Sequence, residues 1–275
     1  MDLSQNLEIA TCTDPVMVRS HNEDSIAADP VNGLVVLADG MGGYNAGEVA
    51  SGMATTVIVT EMRQILANTK PYDVDGASNE EIAGRLVRDQ VLKANSSIYQ
   101  AAQSQSQYAG MGTTLVVCLF YDNRMLVAHL GDSRLYMLRD GAFSQVTRDH
   151  SLLQEQIDSG IITPEQAKKA QHKNLVTKAL GIDPTVEPEI HEYPTKSGDI
   201  YLLCSDGLCD MVEDEDIAMT LQTLGKGNLK LAAQHLVQMA NDNGGRDNVS
   251  VILVRVLREY PGRRGVMGKV FGWLK

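Results

Sequence analysis

Apolar positions along the chain fall into two patterns, short runs and longer segments with helical spacing. The short runs are typical of β-strands and occupy eight segments: 7–13, 24–29, 34–38, 113–120, 124–130, 134–138, 199–204 and 249–257. The longer segments predict helices at 46–66, 79–104, 213–224 and 228–241. Because the strands cluster and the helices arrive in pairs, the pattern predicts an α+β fold with antiparallel sheets.

Antiparallel pairing is indicated most clearly between residues 113 and 147. The apolar runs in this segment are separated by the turn signals DN, GDS and RDG. Such spacing is typical of an antiparallel meander. A βαβ nucleotide-binding fold therefore describes the chain less well.

Composition places the chain among ordinary globular proteins. At 275 residues and 43% hydrophobic content, it has enough apolar material for a substantial core, in one large domain or two small ones. No apolar run approaches the roughly 20 residues that span a bilayer, and MDLSQNLEIAT lacks the basic start and apolar segment of a signal peptide. We therefore expect a cytoplasmic protein. The net charge of −11 disfavours nucleic acid as a partner and suits a protein that holds cations.

Charge is unevenly distributed along the chain. Residues 258–275 carry five basic side chains and one acid, which gives this tail a charge of +4 and leaves −15 for the rest. We therefore predict a folded domain over residues 1–257 and a flexible basic tail over 258–275. Apolar side chains among the cations of the tail suit docking on an anionic membrane surface or on a partner, whereas its three glycines after Arg264 favour a disordered end.

The segment VVLADGMGG, residues 35–43, raises a chemical question, because an apolar strand ends in an acid and three glycines. A glycine-rich turn after a strand first suggests a dinucleotide site, but that motif needs glycine or alanine where Asn45 stands. Asp39 would also set a negative charge against the pyrophosphate. We therefore reject the dinucleotide hypothesis. The glycines instead allow a sharp turn and the close approach of a carbonyl to a ligand.

An acid at the end of an apolar strand recurs at four other places. These acids are Glu23 with Asp24, Asp132, Asp206 and Asp247. A single Asp-Gly pair is usually no more than a solvated turn. Five sites that each adjoin an apolar run, however, predict that the acids meet at one rim of the sheet core. Carboxylates gathered there repel each other unless cations neutralise them, and oxygen donors without His or Cys predict Mg²⁺ or Mn²⁺.

Five motifs carry a family resemblance: VRSHNEDS, ADGMGG, GDSR, SDGL and GGRDNVSVI. In this order, within residues 7–257, they resemble the motif series of the metal-dependent protein phosphatases, the PPM or protein phosphatase 2C-like family, in its bacterial form. The resemblance implies a four-layer α-β-β-α sandwich, in which two antiparallel sheets are flanked by helix pairs. It also implies hydrolysis of phosphoserine and phosphothreonine in proteins. We expect a monomer that opposes a serine/threonine kinase.

The resemblance assigns the core metal ligands by position. Asp39 would bridge two metal ions, and the carbonyl of Gly40 would bind one of them. Asp206 and Asp247 would hold the other ion. Two such ions acidify a bridging water and position the resulting hydroxide for in-line attack on phosphorus, so no protein nucleophile is needed.

Further roles follow from the same motifs. Asp24, with Glu23 beside it, would complete the site directly or through water. A third, weaker ion would lie between Asp132 and Asp206. Arg19 would hold the substrate phosphate, because a planar guanidinium can donate two parallel hydrogen bonds.

The general acid is left open by two departures from the family pattern. Many bacterial relatives follow DGMGG with histidine, where this chain has Tyr44. Some eukaryotic relatives have histidine two residues after the bridging aspartate, where this chain has Met41. The proton for the leaving group then comes from metal-bound water or from Tyr44, whose unperturbed pKa of about 10 makes it a reluctant acid.

The polar, partly helical segment 150–185 lies between core strands. In relatives this segment is the flap beside the active site, and it is the least uniform part of the fold. Its mixed charges suit contact with a substrate protein, or simply a solvated helical hairpin. Within it, His150 is interpreted as a hydrogen-bonded structural histidine.

Two other functions compete with an active, kinase-opposing phosphatase. One is a catalytically inactive phosphoprotein-binding module on the same fold, and the other is a phosphatase dedicated to an anti-sigma-factor antagonist. The inactive module predicts the loss of metal-binding acids. The sequence retains all of them.

Overall fold

The computed structural model describes residues 2–16, 21–43, 46–76, 81–167 and 175–262. Within these ranges the chain forms eleven strands and seven helices. The strands are β1 (Leu7–Asp14), β2 (Asp24–Asp29), β3 (Leu34–Met41), β4 (Gly112–Thr113), β5 (Leu115–Tyr121), β6 (Arg124–Leu130), β7 (Arg134–Arg139), β8 (Ala142–Gln145), β9 (Glu189–Pro194), β10 (Ile200–Cys204) and β11 (Val249–Val256). The helices are α1 (Ala46–Leu66), α2 (Ile82–Ser104), α3 (Leu152–Asp158), α4 (Pro164–Ala167), α5 (Asp206–Cys209), α6 (Asp214–Thr223) and α7 (Leu229–Asp242).

The strands form two antiparallel sheets. One sheet has the order β1-β11-β10-β7-β8, and the other has the order β2-β3-β5-β6-β9, with the short β4 paired to β3. The predicted meander is therefore wrong in one respect, because β6 and β7 lie in different sheets. Residues 131–133 carry the chain from one sheet to the other, so GDS is a crossing and not a hairpin turn.

Three apolar clusters hold four layers together. One cluster lies between the sheets and contains Leu37 of one sheet and Ile252 of the other. A second joins the outer face of the β2–β9 sheet to α1 and α2, and the third joins the outer face of the other sheet to α6 and α7. The predicted four-layer α-β-β-α sandwich is confirmed.

Strand β3 shows why a central strand of this fold reads as a continuous apolar run. Leu34 and Val36 belong to the cluster under the helices, whereas Val35 and Leu37 belong to the cluster between the sheets. All four side chains are fully buried. Successive side chains of a strand point to opposite faces, so a strand covered on both sides has no polar positions.

Strand β9 is one element that the apolar pattern does not predict. Its sequence, EIHEYP, contains two acids and a proline, and most of its side chains are partly or fully exposed. β9 lies at the edge of its sheet, paired only to β6. An edge strand tolerates proline and polar side chains because one of its sides needs no partner.

The chain beyond β11 continues along the core to residue 262. Tyr260 is 2% exposed, and its backbone N–H donates to Asn123 Oδ1 at 2.5 Å. Its hydroxyl lies 2.6 Å from Thr195 Oγ1. The domain boundary at residue 257 stays a prediction, and residues 263–275, on which the docking prediction for the tail depends, lie outside the described residues.

Across the described ranges, the helices are too short or too polar to cross a membrane.

Candidate metal centre

Five aspartates predicted as metal ligands lie together at one rim, where the ends of both sheets meet. Asp24 begins β2 and is the direct cross-strand partner of Asp39 on β3. Asp206 begins α5 immediately after β10, and Asp247 lies two residues before β11. Asp132 lies in the crossing between β6 and β7. The charges of the other four all act on Asp39, as expected for groups that share one small volume.

The rim is built by close backbone contacts at Gly40. The Gly40 N–H donates to the Glu23 carbonyl at 3.0 Å. A Cβ at position 40 would lie 2.1 Å from the Gly47 carbonyl oxygen, so no other residue fits without moving the backbone. The glycine thus allows β3 to pass directly over the start of α1. Whether its carbonyl binds a metal ion stays a prediction.

Side chains from both sheets hold Asp24 and Asp39 in place. Ser205 Oγ donates to Asp24 Oδ2 at 2.9 Å and accepts from the Ser250 N–H at 3.0 Å. The Asp39 N–H donates to Thr114 Oγ1 at 3.1 Å. These partners pin the acids to strands that cannot shift without disturbing the core.

Asn248 connects the rim to the segment that follows β1. Its Oδ1 accepts from the Glu23 N–H at 2.8 Å, and its Nδ2 donates to the carbonyls of Pro15 and His21 at 3.1 and 3.0 Å. Sequence reasoning missed both Asn248 and Ser205 as positioning residues. The available signal was their place inside the motifs GGRDNVSVI and SDGL.

Crowding and burial make the rim electrostatically strained in the absence of cations. Burial raises the pKa of Asp24 to about 7 and that of Asp132 to about 6. Burial, followed by the charges of the neighbouring aspartates, raises the pKa of Asp39 and of Asp206 well above the usual range. Positive charge at the rim would relieve this repulsion.

The donor set fits a hard divalent cation. Asp24 Oδ1 is buried in a residue that is 9% exposed, and none of the described residues donates a hydrogen bond to it. A buried acceptor without a partner is unfavourable unless a ligand satisfies it. The gathered donors are all carboxylate oxygens, which Mg²⁺ and Mn²⁺ prefer.

A second cluster of metal-type ligands contains His129, His150 and Glu189, whose ligand atoms lie within 4.8 Å of one another. The Gly131 N–H donates to His150 Nδ1 at 3.2 Å, which puts the proton of the neutral ring on Nε2, 3.3 Å from Glu189 Oε2. The rings of His129 and His150 also stack, with an angle of 3° between their planes. A histidine nitrogen binds a metal ion in the plane of its ring, and one ion cannot lie in two stacked planes at once. The structural interpretation of His150 is confirmed, and this cluster is a poor metal site.

Two residues with predicted roles lie outside the described residues. Arg19 falls in the gap at 17–20, and Tyr44 falls in the gap at 44–45. Phosphate binding by Arg19 and proton donation by Tyr44 therefore stay predictions.

Comparisons with known proteins agree on one family. The family model described as Protein phosphatase 2C matches residues 17–247. The serine/threonine protein phosphatase PstP of Mycobacterium tuberculosis is 38% identical over 252 residues, which is 91% of this chain and 45% of that protein. The serine/threonine phosphatase stp of Listeria welshimeri is 34% identical over 245 residues, 88% of this chain and 93% of that protein. The chain thus spans about half the length of the mycobacterial relative.

Solved structures give the same result. The crystal structure of the M. tuberculosis phosphatase PstP/Ppp is similar with a TM-score of 0.81 and 37% identity, over 91% of this chain and 99% of that one. A structure of the catalytic domain of PstP in complex with two manganese ions has a TM-score of 0.78 and 37% identity, over 92% of this chain and 99% of that one.

Proposed function

This chain belongs to the protein phosphatase 2C family, and from that premise we propose that it hydrolyses phosphoserine and phosphothreonine in proteins with Mg²⁺ or Mn²⁺. The observation that carries the proposal is the gathering of five aspartates at one rim, where the buried Asp24 Oδ1 accepts no hydrogen bond from the described residues. When bound there, two divalent cations activate water as a nucleophile and offset charge on the phosphoryl oxygens.

Each rim residue has a distinct task in this proposal. Asp39 would be a ligand of both ions, and the Gly40 carbonyl would help to hold one of them. Asp206 and Asp247 would hold the other ion, and Asp24 would complete the set. Ser205 and Asn248, described above, keep these groups at fixed separation, which matters because in-line attack tolerates little misplacement.

The remaining residues act around this core. Asp132, together with Asp206, would hold a third and weaker ion. Arg19 donates to the phosphate oxygens and orients the phosphoryl group. Tyr44 would contact the substrate, and the proton for the leaving group would come from metal-bound water or from Tyr44.

The cellular role follows from the chemistry of the substrate. We propose that the protein acts as a monomer in the cytoplasm and opposes a serine/threonine kinase by removing phosphate from its substrates. Phosphoproteins are the proposed substrates because the named relatives are serine/threonine phosphatases. An anti-sigma-factor antagonist is one such phosphoprotein among many.

Metal titration tests the proposed reaction. We expect hydrolysis of a phosphothreonine peptide and of an aryl phosphate to rise from zero in a chelator to a plateau at millimolar Mn²⁺, and Mg²⁺ to support the same reaction. Activity that survives the chelator contradicts the metal mechanism. Metal-dependent binding of the phosphopeptide without hydrolysis identifies an inactive binding module instead.

A further inference from the structure

The carbonyls of Pro15 and His21 meet at one side chain, although the two residues are six positions apart in the sequence. Both carbonyls accept from Nδ2 of Asn248, at 3.1 and 3.0 Å. The chain therefore leaves this point at Pro15 and returns to it at His21. Arg19 lies between the two in the sequence and outside the described residues. Residues 15–21 are called the Arg19 segment below.

The side chain of Asn248 is buried and all of its hydrogen-bonding capacity toward the segment is used. It is 4% exposed, and its Oδ1 accepts from the Glu23 N–H at 2.8 Å. A side-chain amide has two N–H donors, and here each has a carbonyl acceptor. One side chain thus holds both ends of the Arg19 segment and the start of the chain that follows it.

The backbone of Asn248 is fixed to the metal rim. Its N–H donates to Asp247 Oδ1 at 2.9 Å, and Ser205 Oγ lies 3.3 Å from its carbonyl oxygen. A Cβ at Gly207 would lie 2.1 Å from the same carbonyl oxygen, so the turn that carries Asp206 packs directly on Asn248. The backbone and the side chain of one residue therefore join the rim to the Arg19 segment.

Val16 is an independent sign that the course of the Arg19 segment is imposed by the fold. Its φ is +59°, a conformation that a β-branched residue rarely adopts. The side chain is 8% exposed and belongs to the apolar cluster under α6 and α7, and the N–H donates to Asp14 Oδ1 at 2.7 Å. A strained conformation of this kind persists where the surrounding structure fixes it. The core thus sets the direction in which the chain leaves β1.

We propose that Asn248 is the positioning residue that holds Arg19 at a fixed place relative to the metal rim. The inference rests on the proposed function, in which Arg19 donates to the substrate phosphate. Asn248 touches neither the phosphate nor a metal ion in this account and acts through the two carbonyls that bracket Arg19. Without these bonds, the entropic cost of ordering the segment would fall on substrate binding and weaken it.

Kinetics of Asn248→Ala test the inference on the full chain at saturating Mn²⁺. We expect KM for a phosphothreonine peptide to rise about tenfold, the effect of about one net hydrogen bond, while kcat stays within about threefold of native. Inorganic phosphate, used as a competitive inhibitor, should lose affinity by a similar factor. Calorimetric titration should give a native Mn²⁺ affinity, because alanine keeps the backbone bond to Asp247. An unchanged KM would overturn the inference.

A double-mutant cycle with Arg19→Ala shows whether Asn248 acts through Arg19. Arg19→Ala alone should raise KM at least as much as Asn248→Ala does. Adding Asn248→Ala to Arg19→Ala should then raise KM no further, because the segment no longer carries the group that binds phosphate. If the two effects multiply, Asn248 acts on another group and the inference is wrong.

Asn95→Ala is the matched control for the loss of a buried amide. Asn95 is 1% exposed, its Oδ1 accepts from the Gly181 N–H at 2.7 Å, and its Nδ2 donates to the carbonyls of Asp183 and Pro184 at 3.1 and 3.4 Å. It therefore makes the same kinds of bonds as Asn248, but to a different part of the chain. Asn95→Ala should lower the melting temperature by a similar amount and leave KM native. An equal rise of KM in both variants would show a general loss of stability and contradict the inference.

Hydrogen exchange gives a readout that does not depend on activity. In Asn248→Ala, peptides from residues 13–24 should exchange faster while β3 keeps its native protection, which shows a folded protein with a released segment. If Asn248→Ala does not fold, Asn248→Ser, which keeps one donor, should give the same pattern with a smaller rise of KM. Native exchange in residues 13–24 would contradict the release of the segment.

The outcomes separate this inference from the proposed function. Absence of hydrolysis by the native chain contradicts the proposed function itself. Hydrolysis by the native chain with a native KM in Asn248→Ala contradicts only the inference. If Asn248→Ala weakens Mn²⁺ binding and leaves KM unchanged at saturating metal, Asn248 serves Asp247 and not Arg19, and the inference is wrong.

Discussion

The metal rim and the flap lie on two sides of one cavity of about 240 Å³, and they are built in opposite ways. The rim aspartates lie in or next to strands such as β3, whose apolar residues 34–38 are fully buried. Helix α3 of the flap has no buried residue. It is attached at its base by backbone bonds such as Leu152 N–H to the Leu175 carbonyl, 2.9 Å.

This difference separates the chemistry of the site from its selectivity. Moving a rim aspartate means moving a core strand, and the tight packing of the core resists this. Moving the flap breaks few apolar contacts, so its local unfolding free energy is low. A family can therefore change what it recognises at the flap while the reaction at the rim stays the same.

The largest expected effect is at the rim, where one charge decides activity. Asp39→Asn should lower kcat by about 1000-fold or more at saturating Mn²⁺, because in the proposed mechanism Asp39 is a ligand of both cations. Thermal melting should show a native fold. Turnover of an aryl phosphate and of a phosphothreonine peptide is the measurement.

The control variant carries the same Asp-to-Asn change at a position away from the rim. Asp140→Asn lies in the exposed turn between β7 and β8, where φ is +53° and asparagine is well tolerated. It should turn over normally. Normal turnover by Asp39→Asn would contradict the prediction that activity depends on the rim aspartates and not on exposed acids such as Asp140.

The second prediction concerns stability of the metal-free protein against pH. The pKa of Asp24 is 3.8 in an ordinary setting and about 7 in the folded chain, so the native state binds more protons between these values. The free energy of unfolding should therefore fall as pH rises from about 4 to about 7. We expect a loss of roughly 2–4 kcal/mol, at about 1.4 kcal/mol per pKa unit.

Urea unfolding at pH 5 and pH 7.5 measures this loss. Saturating Mn²⁺ should reverse it, because the cations replace the protons. The free energy of local opening of the flap, measured by hydrogen exchange of its amides, should not show this pH dependence. Stability that rises between pH 5 and 7.5 without metal contradicts the electrostatic account of the rim.

Much of the difference between the rim and the flap could be predicted from the sequence. The strands and the clustered acids were predicted because each feature is local: an apolar run ends in an acid such as Asp39 or Asp206. Ser205 was missed because its importance lies in a hydrogen bond to Asp24, 181 residues away in the chain. The crossing at GDS was read as a hairpin because turn residues do not reveal which sheet the next strand joins.

The flap was described only as polar and partly helical, for a physical reason. Helix α3 is seven residues long and lacks a buried face, so it leaves no strong apolar period. The position of Leu153 and Ile157 beside the rim depends on where α3 docks. That position is set in part by contacts distant in sequence, such as the bond from the Leu152 N–H to the Leu175 carbonyl, 2.9 Å.

Third in size is the loss of a supporting hydrogen bond at the rim. Ser205→Ala removes the donor to Asp24 Oδ2 and should weaken Mn²⁺ binding about tenfold, the usual effect of removing a partner behind a metal ligand. The kcat at saturating metal should change little. Calorimetric titration with Mn²⁺ gives the dissociation constant.

Ser25→Ala is the matched control for this third prediction. Ser25 is adjacent to Asp24, but its hydroxyl bonds to Thr55 Oγ1 on α1, 2.7 Å away and not at the rim. Mn²⁺ affinity should be native in this variant. Equal effects of the two variants would show that any loss on β2, and not support of Asp24, weakens the site.

The fourth prediction concerns the border between rim and flap. Asp132→Asn removes one charge from the inner end of the cavity and should raise the Mn²⁺ concentration for half-maximal activity a few-fold, while activity at high metal stays near native. The reason is that Asp132 is proposed to hold the weaker third ion and not the core pair. Loss of activity at all metal concentrations would place Asp132 in the core set.

The smallest expected effect is on the flap itself. Ser151 caps α3 by accepting from the Gln154 N–H at 3.2 Å, and Ser151→Ala should cost about 1 kcal/mol of local helix stability. Amides of residues 152–158 should exchange several-fold faster, whereas amides of β3 should keep their protection, because no apolar contact of the core depends on this cap. Aryl phosphate turnover should stay within about twofold of native, since the cap does not support a rim aspartate. Hydrogen exchange read by mass spectrometry distinguishes the cases: faster exchange confined to the flap supports two independently held regions, and faster exchange that extends into β3 shows that flap and rim are one cooperative unit.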